Sequence, residues 1–255
     1  MRFTLLGTGT STGIPMIGCN CKTCNSGDPR DKRLRVSVLV ESDKGTIVID
    51  TSADFRQQML TAKVKKLDAV LYTHHHYDHI AGFDDLRAFQ FLMHRSPMCY
   101  ASRETFDHIR RTFPYAFGEA VQSGGGLPNI PFEVIDHEKF GVLGIPIIPI
   151  PARHGMIDVL GFRIGDFAYL TDCNAIPEVS IPLLEGLSVL VLDGLRPTPH
   201  PTHFSLSEAA RIAERIGAQM TYLTHMNHDV LHARDEMTLP DTVRLAYDGL
   251  SFIHT

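Results

Sequence analysis

Four histidines and an aspartate fall within six residues of Thr73-His-His-His-Tyr-Asp-His79. Imidazole nitrogens and carboxylate oxygens are the donors that divalent zinc, manganese and iron accept. The cluster is internal and interrupted by Tyr77 and Asp78, whereas a purification tag is a pure run at a terminus. Ahead of it runs Ala69-Val-Leu-Tyr72, apolar and β-favouring, so the donors sit at the C-terminal end of a strand. A rigid element delivering donors onto a tight loop is what a metal site needs.

Three further donors follow apolar runs. His154 comes after Ile147-Ile-Pro-Ile-Pro-Ala-Arg153, Asp172 after Tyr169-Leu-Thr171, and His225 after Tyr222-Leu-Thr224. Singly, each reads as a loop cap. With the His loop, the pattern of an apolar strand ending in His or Asp occurs four times, and such ends converge at one rim of a sandwich.

The elements that must position them follow from periodicity and turn chemistry. Arg2 to Leu6 reads as a strand running into Gly7-Thr-Gly-Thr-Ser-Thr-Gly13. That loop fails both nucleotide fingerprints: Thr12 stands where a dinucleotide motif needs glycine, and Cys19-Asn20 where a P-loop needs Lys-Ser or Lys-Thr. Val36 to Val40 and Thr46 to Ile49 form a hairpin around Ser42-Asp-Lys-Gly45. Helices are expected over about Ala53 to Lys63, Phe83 to Met93 and Glu104 to Phe113, and strands over Asp68 to Tyr72 and Met98 to Ala101. Val121-Gln-Ser-Gly-Gly-Gly-Leu-Pro128 is a loop by composition.

Strands return at Phe132 to Ile135, Ile145 to Ile150, Leu160 to Ile164, Phe167 to Leu170, Leu187 to Leu192 and Met220 to Leu223. Gly165-Asp166 is a tight hairpin turn, and Ser205-Leu-Ser-Glu208 a capping box opening a helix to about Ile216. Two blocks of strands, each followed by helices, indicate an α/β fold. Its form is an αββα sandwich, two face-to-face sheets with helices outside, in a single domain over residues 1–255.

Composition narrows the setting. Hydrophobic residues at 44% and charged residues at 21% exclude a disordered chain, and a net charge of −5 gives no general drive toward nucleic acid or anionic membranes. The basic run Arg30-Asp-Lys-Arg-Leu-Arg35 reads as a solvated face. With no signal peptide or membrane-spanning run, the expected location is cytoplasmic. Five cysteines, an odd number, speak against a disulfide framework in that compartment, and three of them crowd at Cys19, Cys21 and Cys24. Cys99 and Cys173 read as small buried apolar residues.

Thr73-His-His-His-Tyr-Asp-His79 resembles the T-H-x-H-x-D-H signature of the metallo-β-lactamase superfamily. His154, Asp172 and His225 stand in the order of that family's remaining ligands. The resemblance implies two divalent ions, zinc or manganese or iron. One is held by His74, His76 and His154, the other by Asp78, His79 and His225, with Asp172 bridging and His75 pointing away. Asp50 resembles the family's buried aspartate, which hydrogen-bonds the His loop. A closer likeness is to the PhnP-like phosphodiesterases, whose Cys-x-Cys-x-x-Cys spacing recurs in Cys19, Cys21 and Cys24. There a structural zinc is completed by a histidine at the position of His228. A histidine of these enzymes, and of ribonuclease Z-like relatives, serves as general acid. Here His203 fits that position better than His200, and an imidazole supplies the proton a departing alkoxide needs near neutral pH.

The implied activity is hydrolysis of a small phosphodiester, of cyclic ribose phosphate or nucleotide type, by a metal-bridging hydroxide. His203 and Asp78 are the expected catalytic residues. A ribonuclease Z-like RNA-processing enzyme shares the motifs but carries an inserted basic arm that is not seen here. A thiolester hydrolase of glyoxalase II type shares only the metal signature. A non-catalytic metal-binding protein would lack a ligand, and none is missing. The expected partner is a small-molecule phosphodiester, with nucleic acid not favoured, no membrane contact, and room for a homodimer.

Overall fold

The computed structural model describes residues 1–117 and 128–253. The glycine-rich stretch read as a loop therefore lies outside the described residues, apart from Pro128. Two seven-stranded sheets carry the fold. The first contains β1 (Arg2–Gly7), β2 (Ser37–Ser42), β3 (Gly45–Ile49), β4 (Ala69–Leu71), β5 (Met98–Ala101) and β6 (Phe132–Val134). The second contains β7 (Phe140–Val142), β8 (Ile145–His154), β9 (Ile157–Ile164), β10 (Phe167–Leu170), β11 (Val189–Asp193), β12 (Met220–Thr224) and β13 (Val243–Leu245). The last strand, β14 (Ser251–Ile253), returns to pair antiparallel with β1, so the first sheet closes with the chain's far end.

Both sheets change from antiparallel to parallel pairing partway across. In the first, β1, β2 and β3 are antiparallel, and β3, β4, β5 and β6 run parallel. In the second, β7 to β10 are antiparallel, and β10 to β13 run parallel. The parallel strands are nearly all apolar because both their faces are covered, and Leu190, Val191 and Leu192 of β11 are fully buried. Between the sheets lies one core, where Phe3 and Phe167 stack with ring centroids 4.0 Å apart. A second core, around Phe55, Phe83, Leu86 and Phe89, seats α1 (Phe55–Thr61), α3 (Leu86–Met93) and α4 (Arg103–Thr112) on the outer face of the first sheet. On the other side α5 (Leu206–Ile216) buries Leu206, Ala209 and Ala213. Helix, sheet, sheet, helix is the expected order of layers.

The capping box at the start of α5 forms as its sequence requires: Ser205 Oγ accepts from Glu208 N–H while the Glu208 carboxylate accepts from Ser205 N–H. Three features differ from the sequence reading. Asp78 and His79 do not lie on an open loop but in a helical turn, α2 (Tyr77–Ile80). The strand expected to end at Ile150 continues to His154 and turns back into β9 through Gly155 and Met156. Its prolines at 146, 149 and 151 made that hard to see. Leu160, opposite Pro151, gives its N–H to Thr73 O at 3.0 Å rather than to β8, so Pro151 and Pro149 turn their hydrogen-free nitrogens away from β9, to the side where Asn174, Ala175 and Ser180 bond to Arg153 and Pro151. Finally, Arg33 of the basic run is not solvated. It is fully buried and ion-paired with Asp31 at 3.0 Å, while Arg35 pairs with Asp54.

Candidate metal centre

The seven proposed ligands stand after strand ends or in α2 on one rim of the sandwich. His74 and His76 follow β4, Asp78 and His79 occupy α2, His154 ends β8, Asp172 follows β10 and His225 follows β12. The structure brings them together in two sets of four. His74, His76, His154 and Asp172 form one, and Asp78, His79, Asp172 and His225 the other, with the donor atoms of each set within 4.8 Å of one another. Asp172 belongs to both. Its Oδ1 lies 3.3 Å from His79 Nε2, and its Oδ2 lies 3.3 Å from His225 Nε2 and 3.8 Å from His74 Nε2. Asp78 Oδ2 is 3.4 Å from His79 Nε2 and 3.5 Å from His225 Nε2. Ligands at ~2.1 Å from a tetrahedral ion are about 3.4 Å apart, so these are the edge lengths of a coordination shell.

The far sides of the rings are anchored. His79 Nδ1–H donates to Asp50 Oδ2 at 2.8 Å, and His154 Nδ1–H donates to Thr202 O at 2.7 Å. Thr73 Oγ1 gives its proton to Asp50 Oδ2 and so accepts from His74 Nδ1–H at 3.0 Å. Each anchored Nδ1–H leaves the Nε2 lone pair turned to the centre. There the Nε2 atoms of His74, His79 and His225 are buried without any hydrogen-bond partner. Buried polar atoms left unpartnered are costly, and three converging on one carboxylate fit divalent ions as their absent partner. Burial and the neighbouring His79 hold the His74 imidazole well below its usual range, which keeps it a neutral donor.

The backbone is strained at the same points. Asp50, Asp172 and His225 have φ of 61°, 51° and 60°, the left-handed region that costs a non-glycine residue roughly 1 kcal/mol or more. Asp50 and His225 stand immediately after a strand and Asp172 one residue further on, where the turn swings each side chain toward the rim.

His203 is 8% exposed, and its ring lies 4.5 Å from that of His154 and 4.8 Å from that of His225. Its Nδ1–H donates to Asp193 Oδ2 at 2.9 Å, and the same oxygen accepts from Cys173 N–H. Asp193 is fully buried at the end of β11 and had no role in the sequence reading. Its signal was there: β11 is a fifth apolar strand ending in a His or Asp. His200 lies further out, its ring 5.1 Å from that of His203. His75 joins neither set. It stacks on His108 at 3.8 Å with rings 15° apart, and these two with Glu104 form a separate group of donors within 4.8 Å of one another.

Cys19, Cys21, Cys24 and His228 form a separate cluster of four donors within 4.8 Å. His228 Nδ1 is 3.2, 3.9 and 4.0 Å from the three Sγ atoms. Cys24 N–H donates to Cys21 Sγ, which lowers the Cys21 thiol, whereas burial pushes Cys24 up to about 11. Three sulfurs and a nitrogen are donor types that could hold a metal ion such as zinc in a tetrahedral site. Cys99 and Cys173 are fully buried and isolated from this cluster. No helix among the described residues is long and apolar enough to cross a membrane.

Comparison with known proteins gives concordant matches. The model of the beta-lactamase superfamily domain matches residues 45–226. A solved diphosphatase from the PhnP family is 42% identical, with TM-score 0.92 over 99% of this chain and 97% of that one. An octanoyltransferase from Porphyromonas gingivalis is 39% identical over 99% of this chain. The chain spans only 51% of that protein, about half its length. The coenzyme PQQ synthesis protein B of Methylobacterium radiotolerans is 30% identical over 76% of this chain and 73% of its own.

Proposed function

The chain belongs to the metallo-β-lactamase superfamily, and from that premise we propose that it is a metal-dependent phosphodiesterase acting on a small phosphodiester of cyclic ribose phosphate or nucleotide type. The observation that carries this reading is the pair of histidine systems around Asp172. One is a set of buried, unpartnered Nε2 atoms suited to two ions, and the other is His203 held by Asp193 beside them.

His74, His76 and His154 would hold one ion, Asp78, His79 and His225 the other, with Asp172 shared. Two divalent ions there would supply an activated water and neutralise charge on the phosphoryl oxygens. Asp50 and Thr73 keep His74 and His79 in the tautomer that presents Nε2. Asp193 does the same for His203, directing its Nε2 to protonate the departing alcohol. The four donors Cys19, Cys21, Cys24 and His228 would hold a structural zinc, fastening the N-terminal loop to the segment that carries His225. The 42% identity to a diphosphatase supports chemistry at phosphorus.

The likeness to an octanoyltransferase favours one second reading, hydrolysis of an acyl thiolester. Metal analysis of the purified protein with a hydrolysis panel separates the two. The panel holds bis-nitrophenyl phosphate, 2′,3′-cyclic nucleotides, a cyclic ribose phosphate, RNA and an octanoyl thiolester. Diester turnover that disappears on chelation is expected. Thiolester turnover without diester turnover would overturn the phosphodiesterase reading.

A further inference from the structure

His75, Glu104 and His108 are donors that neither the sets around Asp172 nor the cysteine cluster uses, and one donor atom of each lies within 4.8 Å of the other two. His75 enters from the loop after β4. Glu104 and His108 stand four residues apart on α4 and so share one helical face. The helix that carries them is set by its own cap, Ser102 Oγ accepting from Thr105 N–H, and needs neither side chain for that. Among the described residues no hydrogen bond or ion pair engages either ring or the Glu104 carboxylate, whereas the adjacent Arg103 pairs with Asp107 at 3.7 Å. Of the charged groups that bear on His75, Glu104 is negative and Arg111 positive, so the carboxylate offsets that cation.

The two rings stack with their planes 15° apart. An ion shared by two imidazoles lies near the plane of each, so one ring must turn about its outer torsion. That torsion is broad for histidine, both rings are half-buried rather than locked, and the exposed Glu104 is long enough to follow. Glu104 also borders a cavity of about 320 Å³, lined in part by Ser102, Asp136 and His137, which gives water room to complete a coordination shell. Two imidazoles and one carboxylate suit zinc and its transition-metal neighbours. Calcium and magnesium take oxygen donors instead.

We propose that His75, Glu104 and His108 form a surface site for a borderline divalent ion such as zinc, separate from the two sets around Asp172. An ion there would tie the His loop to α4 through the one ring that stands between His74 and His76 in the chain. The proposal does not depend on the phosphodiesterase reading. It is tested on protein that keeps its tightly held metal through gel filtration, titrated calorimetrically with zinc. Wild-type protein should take up one further equivalent. In His108→Ala its dissociation constant should rise at least roughly tenfold, since even an outer partner of a metal ligand is worth that much, while the retained metal content stays as in wild type. Glu104→Gln, which keeps the size of the side chain and removes its charge, should weaken the same equivalent. Magnesium in place of zinc should give no comparable binding. Wild-type protein that takes up no further equivalent, or takes it up with the same constant as both variants, overturns the proposal, and so does magnesium bound as tightly as zinc.

Discussion

Asp50 and Asp193 touch no part of a substrate, yet each fixes a histidine that would act. Asp50 is fully buried and holds both Thr73 and His79, so its removal loosens two rings at once. Asp50→Ala should weaken active-site metal affinity ten- to a hundredfold, roughly the loss typical of such anchors, measurable by competition with a chelator. Asp193→Asn would present an amide donor where His203 needs an acceptor. Its kcat should fall about a hundredfold, the usual worth of a positioned acid, with metal content unchanged. His203→Ala should lose most on esters with poor leaving groups. Similar losses on a nitrophenyl ester and an alkyl ester would remove His203 from the acid role.

Elements hold these residues through close backbone approaches. A Cβ on Gly82 would sit 2.5 Å from Ser52 O and from Phe55 Cβ, so the segment after α2 packs directly on the turn that follows Asp50. Gly82→Ala should cost about 1–3 kcal/mol by overpacking, read as a lower denaturant midpoint, and should reduce metal retention too. The ligand-bearing ends were legible in the sequence because an apolar strand finishing in His or Asp repeats, and the α5 start because Ser205 and Glu208 have capping-box spacing. The reach of β8 to His154 was not, since proline is read as a strand breaker unless its partner on each side is known. Asp193 was missed because it ends a strand that looked purely structural. His75 and His76 are alike in residue type, and only the resemblance to the signature told them apart; the path of the chain turns His76 to the centre and His75 to stack on His108.

Across the whole molecule, one buried carboxyl joins the chain's beginning to its end. Asp248 accepts from Leu34 N–H and from Thr8 Oγ1–H, both at 2.7 Å, beneath the loop that also receives Met226 N–H. Burial pushes this carboxyl up to about 7. Between the usual carboxylate value near ~4 and that point, the folded chain binds more protons than the unfolded one, so stability falls as pH rises across the window. The full effect is on the order of 4 kcal/mol, present below the lower value and lost above the upper. Denaturant midpoints should therefore drop between about pH 4 and pH 7, and Asp248→Asn should flatten that slope. A wild-type slope no steeper than the variant's would show that Asp248 is ionised in the fold.

The prolines of β8 also bear on how this strand is roofed. Arg153 exchanges backbone hydrogen bonds with Asn174 and Ala175, and Pro151 O accepts from Ser180 Oγ at 2.7 Å, so the segment after Asp172 covers the edge that leads to His154. Beneath that cover an N–H without a partner would be costly, and Pro149 and Pro151 have none to leave unpaired. The strand that carries one donor and the loop that carries another are thereby fastened to each other without a regular ladder between them.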